Sequence, residues 1–259
     1  MTIGFPPDSD LVQRLHPSPN VEPRAGERRP DMLLLHYTGM TCCEKAIDWL
    51  SRPESKVSCH YVVGEDGTIT QMVAESLRAW HAGRSHWAGE TDINSCSIGI
   101  EIHNAGHACG YPEFPEAQMA AVVRLSADIV ARHGIARARV LAHSDVAPDR
   151  KIDPGERFDW KRLAAAGVGH WLDPAPLATE EDAPPLAAGA RSERVAEVQH
   201  LLRAYGYGID VTGFLDTPTT FVLRAFQLHW RPARVDSRLD ASTLLTARRL
   251  LVSTAGARA

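Results

Sequence analysis

Met32-Leu-Leu-Leu35 is a short, unbroken apolar run. A run of that length without alternation is the pattern of a strand buried on both faces, and such a strand needs a sheet with helices packed over it. The run ends in His36-Tyr-Thr-Gly39, so the chain leaves the core carrying an imidazole into a loop, where sites are usually built.

The neighbouring segments agree with an α/β domain. Ala46, Ile47 and Leu50 form an apolar stripe that predicts a helix over 41–50, stopped at Arg52-Pro53. Cys59-His-Tyr-Val-Val63 and Thr68-Ile-Thr-Gln-Met-Val73 flank an Asp-Gly turn and predict a β-hairpin. Residues 78–95 hold two Trp-containing, Gly-punctuated pieces with little periodicity and are expected to form a long structured loop. In Ser97-Ile-Gly-Ile-Glu-Ile102 the isoleucines alternate with Gly99 and Glu101, so a strand with its isoleucines in the core turns Glu101 toward a cleft. Met119, Val122, Val123, Ile129 and Val130 mark an amphipathic helix between Pro115 and Gly134, and Val140-Leu141 is a last short strand leading to His143.

The expected fold class is α/β: a mixed central sheet flanked by helices, followed by a small all-α domain of three helices. Residues 1–30, with Pro6, Pro7, Pro17, Pro19, Pro23 and Pro30, are expected to be an irregular surface arm. The α/β domain takes 31–172. Residues 173–190, rich in proline and alanine without an apolar period, form a linker. The three helices fall within 191–252, on stripes such as Val195, Val198, Leu201 and Leu202, then Val222, Ala225 and Phe226, then Leu244, Ala247 and Leu250. A tail of 253–259 remains.

Gross composition excludes several function classes. The formal charge is -4, with 44% hydrophobic and 23% charged residues, which gives no electrostatic case for nucleic acid. No stretch is apolar enough to span a membrane, and the first residues lack a basic start and an apolar run of the roughly 7–15 residues an export signal needs. The 5 cysteines are an odd count without zinc-ribbon spacing, as expected of reduced thiols in the cytoplasm.

Three residues, each after a core strand, carry chemistry. His36, His143 and Asp153 supply two imidazoles and a carboxylate, a sufficient ligand set for a catalytic zinc that keeps its fourth position for water. Bound zinc lowers the pKa of water from about 15.7 toward 7. Glu101 can act as general base, and Lys151, two residues from Asp153 on an extended segment, can bring positive charge to an oxyanion. A solvated Asp-Lys ion pair accounts for Lys151 and Asp153 equally well if taken alone. Cys42, Cys43 and Cys59 are softer ligands, but nothing in the sequence orients them with His143. His60, His81, His86, His103 and His107 fall near the same cleft, and a further protein ligand from among them would leave no room for water.

Leu35-His-Tyr-Thr38, Ala79-Trp-His-Ala-Gly83, Asn94-Ser-Cys-Ser-Ile-Gly-Ile-Glu-Ile-His-Asn104 and His143-Ser-Asp-Val-Ala-Pro-Asp-Arg-Lys-Ile-Asp-Pro-Gly155 resemble, in order, the motifs of the type-2 N-acetylmuramoyl-L-alanine amidases. The resemblance covers roughly 31–172. It implies zinc held by His36, His143 and Asp153, with Glu101 as base and Lys151 assisting. Relatives that bind peptidoglycan without cutting it typically lose a zinc ligand, and phage-type relatives use Tyr at the position of Glu101; neither departure occurs here. Val198-Gln-His-Leu-Leu202, Thr212-Gly-Phe214 and Val222-Leu-Arg-Ala-Phe-Gln227 are similar to a three-helix peptidoglycan-binding domain, with Val211-Thr-Gly-Phe-Leu215 in place of its usual acidic turn.

The resemblance implies hydrolysis of the amide between the lactyl group of N-acetylmuramic acid, or its 1,6-anhydro form, and L-alanine of the stem peptide. Peptidoglycan or anhydro-muropeptide is the partner, one Zn2+ the cofactor, and Tyr37, His60, Trp80, His81 and Asn104 are the candidate substrate contacts. A protein that grips or senses muropeptide without cutting it is the alternative. The missing export signal favours the cytoplasm, whereas a wall-binding module favours the periplasm.

Overall fold

In the computed structural model, which describes residues 4–179 and 182–256, the chain divides into two compact units. The first takes the described residues up to Arg84, then Asp92–His143 and Arg157–His170. The second takes Ser85–Thr91, Ser144–Glu156 and the described residues from Trp171 onward.

The first unit contains, in chain order, β1 (Arg14–Leu15), β2 (Val21–Pro23), β3 (Met32–Tyr37), α1 (Cys43–Leu50), β4 (Tyr61–Val63), β5 (Ile69–Gln71), β6 (Leu77–Ala79), α2 (Ile93–Cys96), β7 (Ser97–Ile102), α3 (Glu116–His133) and β8 (Val140–Ala142). A short α4 (His143–Val146) follows β8, and α5 (Trp160–Ala165) belongs to this unit. Six strands form one mixed sheet in the order β1-β5-β4-β7-β3-β8, with β3 parallel to both β7 and β8 and only β4–β5 antiparallel. Met32 through Leu35 are wholly buried, and each such side chain contributes about 1.5–3 kcal/mol relative to exposure. Ile47 and Leu50 of α1 pack on Cys59, Val62 and Met72, while α3 buries Met119, Val122, Leu125 and Ile129. The expected hairpin, the 97–102 strand and both helices are present, with ends shifted by one or two residues.

Two expectations are corrected. The described part of the expected irregular arm, residues 4–30, is not irregular throughout: β1 extends the main sheet beside β5, and β2 pairs with β6. Arg24, 6% exposed, donates to the carbonyls of Glu75, Asn94, Ser95 and Ser97, and so ties this segment beneath β7. The 78–95 stretch is likewise not all loop, since it contains most of β6 and most of α2.

The second unit is built on α6 (Glu193–Tyr205), α7 (Thr217–Trp230) and α8 (Ala241–Gly256). Ser192 and Asp216 cap α6 and α7 by accepting from the Arg194 and Thr219 amides, and such caps contribute about 1 kcal/mol each. Two buried glutamines repeat one device. Gln199 accepts from the amides of Thr212 and Gly213 and donates to the Phe214 carbonyl; Gln227 accepts from Asp236 and Ser237 and donates to the Arg238 carbonyl. Part of the expected linker is pinned to these helices: the Ala175 amide donates to Thr246 Oγ1, Ser242 Oγ donates to the Ala175 carbonyl, and Leu186 pairs with Leu239. No helix among the described residues is long and apolar enough to cross a membrane.

Candidate metal centre

The sheet register brings the first two functional residues together. Across neighbouring strands, Val62, Glu101 and His36 occupy one row, so Glu101 lies one strand, about 4.8 Å, from His36 and projects from the same face. His36 therefore sits inside β3, one residue before its end, rather than in the loop beyond it. The isoleucines of β7 are fully buried and Glu101 is only half-buried, as the alternation requires. His143 follows β8 directly as the first residue of α4. Its Nδ1 lies 2.8 Å from His36 Nδ1.

The other nitrogen of each ring is engaged. The single Ser97 hydroxyl proton goes to the Ile93 carbonyl at 2.6 Å, so Ser97 Oγ accepts from His81 Nε2 at 3.2 Å. His81 Nδ1 then accepts from His36 Nε2 at 3.0 Å. His143 Nε2 donates to the Ala82 carbonyl at 3.1 Å. With their Nε2 atoms engaged in this way, both rings turn Nδ1 to a common point, the two atoms 2.8 Å apart, where one cation can lie against both. Burial pushes His81 itself well below the ordinary imidazole range, with the neighbouring His36, His60 and His143 rings adding to it, which keeps the His81 ring neutral.

Asp153 completes the donor set. His36, His143 and Asp153 are 1%, 2% and 6% exposed, and each offers one donor atom, all within 4.8 Å of one another. Two imidazoles and a carboxylate are the donors a catalytic zinc takes, and the engagement of each ring's second nitrogen is the usual way such ligands are oriented. The residues present fit that ion. In its own segment Asp153 accepts the Ser144 amide on its carbonyl, and Lys151, half-buried, donates its amide to the Ala147 carbonyl.

The candidate substrate contacts differ in burial and in what already engages them. Tyr37, half-buried at the end of β3, reaches His107 Nδ1 with its hydroxyl at 3.0 Å, and a Cβ on Gly106 would fall 2.8 Å from its ring. Trp80 is also half-buried. His60 is wholly buried: its Nδ1 accepts the Gly99 amide, its Nε2 donates to the Leu77 carbonyl, and burial, reinforced by the Arg24 charge, holds its pKa down at about 3. A neutral ring enclosed in this way is a wedge within the core and offers no face to a ligand. Asn104 uses both ends of its amide on its own loop, accepting from Gly106 and donating to the Pro112 carbonyl. His81 touches His36 instead of open space, and a Cβ on Gly99 would come within 2.5 Å of its ring. The sequence signal for that role was present in Gly99, the one residue in its strand small enough to let an imidazole lie against the sheet. Ser97 and Arg24 carried no comparable signal.

The family described as N-acetylmuramoyl-L-alanine amidase matches residues 26–156, and a peptidoglycan binding domain family matches residues 191–245. The N-acetylmuramoyl-L-alanine amidase AmiD of Escherichia coli (strain K12) is 36% identical over 244 residues, which cover 88% of this chain and 84% of that protein. A solved complex of E. coli AmiD with the substrate anhydro-N-acetylmuramic acid-L-Ala-D-gamma-Glu-L-Lys matches with a TM-score of 0.72 at 33% identity, covering 90% of this chain and 92% of that one. AmpDh3 from Pseudomonas aeruginosa in complex with anhydromuramic pentapeptide matches with a TM-score of 0.73 at 30% identity, covering 90% and 95%.

Proposed function

The chain belongs to the N-acetylmuramoyl-L-alanine amidase family, and on that premise we propose that His36, His143 and Asp153 hold one zinc ion with which it hydrolyses the amide between the lactyl group of N-acetylmuramic acid and L-alanine. The observation that carries this reading is that His36, His143 and Asp153, all buried, bring one donor atom each within 4.8 Å of one another, the two Nδ1 atoms 2.8 Å apart, a donor set that suits a divalent cation. Zinc, when bound, supplies a water of lowered pKa and polarises the scissile carbonyl.

The remaining work falls to side chains. Glu101, one strand from His36, takes the proton of the attacking water and returns it to the departing amine of L-alanine. Lys151 presents its ammonium to the oxyanion that develops on the lactyl carbonyl. His81 and Ser97 hold His36 in the tautomer that points Nδ1 at the metal. Tyr37 and Trp80, both half-buried, are the side chains best placed to meet the substrate.

The anhydro-muropeptides held by AmiD and AmpDh3 support the 1,6-anhydro form as a substrate, and the match of 191–245 supports a hold on glycan by the C-terminal residues. The described cysteines, none in a disulfide, support work in a reducing compartment such as the cytoplasm. Mass spectrometry of an anhydro-muropeptide incubated with the zinc-loaded protein is expected to find free anhydro-sugar and an intact peptide beginning at L-alanine. Cleavage within the peptide, or an uncut substrate, overturns the proposal.

A further inference from the structure

Asp145 lies in the segment between His143 and Asp153 and is 1% exposed. Both its carboxylate oxygens are taken from the C-terminal helical region of the same compact unit. Tyr207 donates its hydroxyl to Oδ1 at 2.6 Å, and His229, near the end of α7, donates from Nδ1 to Oδ2 at 2.7 Å. Tyr207 and His229 are each 1% exposed. A buried carboxylate is tolerated when it is paired and hydrogen-bonded, and one with donors on both oxygens is fixed in position and orientation.

The surrounding contacts all tie the same pieces together. Arg224 of α7 donates to the Pro148 carbonyl at 3.1 Å, and the His86 amide donates to the Val146 carbonyl at 2.8 Å. The Ala88 amide donates to the Gly206 carbonyl at 2.7 Å. Trp87 lies edge-on to Tyr207 with ring centroids 4.9 Å apart. Gly206 permits that approach: its φ is 145°, and a Cβ there would fall 2.6 Å from the indole. The bonds to 144–156 join residues about sixty to eighty-five positions apart in sequence, and within this unit that segment packs as part of the helical body.

We propose that the C-terminal helices support the amidase site rather than serving only as a separable glycan-binding module: Tyr207 and His229 are positioning residues that hold Asp145, and through it the backbone leading from His143 to Asp153. The inference rests on the reading of His143 and Asp153 as zinc ligands.

The test uses the full chain with Tyr207→Phe, which removes only the hydroxyl, and with His229→Leu and His229→Asn, the last of which keeps a donor near the Nδ1 position. Zinc affinity is read by competition with a chromophoric chelator, kcat and KM on an anhydro-muropeptide, and hydrogen exchange of the 144–156 amides in the metal-free protein. Tyr207→Phe and His229→Leu are expected to weaken zinc binding roughly ten-fold, the lower end for partners that orient ligands. They should also lower kcat at unchanged KM and speed exchange across 144–156, while His229→Asn restores most of the loss. Zinc affinity and exchange equal to wild type in both variants overturn the proposal, even if the melting temperature falls, and so does a His229→Asn variant indistinguishable from His229→Leu. A wild-type chain that binds no zinc overturns the metal reading instead, and the exchange measurement, which needs no metal, still decides whether Asp145 is held as described.

Discussion

Replacing Glu101 with Gln is expected to leave one zinc per chain while amide cleavage falls by roughly 10²–10⁴, the range that positioned general acid-base catalysis contributes. The substitution keeps the size of the side chain and its place beside His36 in the β3–β7 register, so the metal ligands are not disturbed. What is lost is the ability to take a proton from water and return it to the amine. Ile98, Ile100 and Ile102 anchor β7 from its other face, so the strand keeps its position without the carboxylate. The measurement is zinc content by elemental analysis together with turnover of an anhydro-muropeptide. Turnover within ten-fold of wild type removes Glu101 from the role of base, and lost zinc makes it a structural partner of the metal site instead.

His143→Ala is expected to have the other large effect, on stability as well as activity. A ligand that binds only the folded chain stabilises it by about 4 kcal/mol at a thousand-fold excess over its Kd. For a chain of this size each kcal/mol raises the melting temperature by roughly 2–4 °C. Saturating zinc should therefore raise the melting temperature of the wild type by about 10 °C and leave His143→Ala unmoved. Two donors remain in the variant, and a two-donor site falls short of the three protein ligands a catalytic zinc requires. Activity should vanish with the shift. A variant still stabilised by zinc as strongly as wild type would show that the ion binds elsewhere.

Much of the α/β architecture was legible because its elements announce themselves locally. Met32–Leu35 reads as a doubly covered strand, Ile98, Ile100 and Ile102 alternate, and α3 repeats its apolar residues at helical spacing. Two of the candidate metal donors, His36 and His143, were legible because each stands at or near the end of a core strand, and Asp153 because Pro154-Gly155 closes the motif that His143 opens. Features set by partners distant in sequence were not. β1 is only two residues long, and the backbone of β5 decides its pairing, which no periodicity in 1–30 reveals. His60 and Asn104 look chemically competent in a one-dimensional reading, yet backbone groups such as the Gly99 and Gly106 amides engage their polar atoms. The proline-rich stretch after Asp173 reads as free linker because Thr246 and Ser242, which pin Ala175, lie some seventy residues away. Asp145 sits in the most informative motif of the chain, but its donors come from residues 207 and 229.

Crystals of the zinc-loaded protein, measured for anomalous scattering on either side of the zinc absorption edge, test the central claim most directly. The account predicts one strong peak at about 2.0–2.2 Å from Nδ1 of His36, Nδ1 of His143 and a carboxylate oxygen of Asp153. A peak bound instead through Cys42 and Cys43, or no peak among these three residues in a protein that still cleaves its substrate, would contradict it.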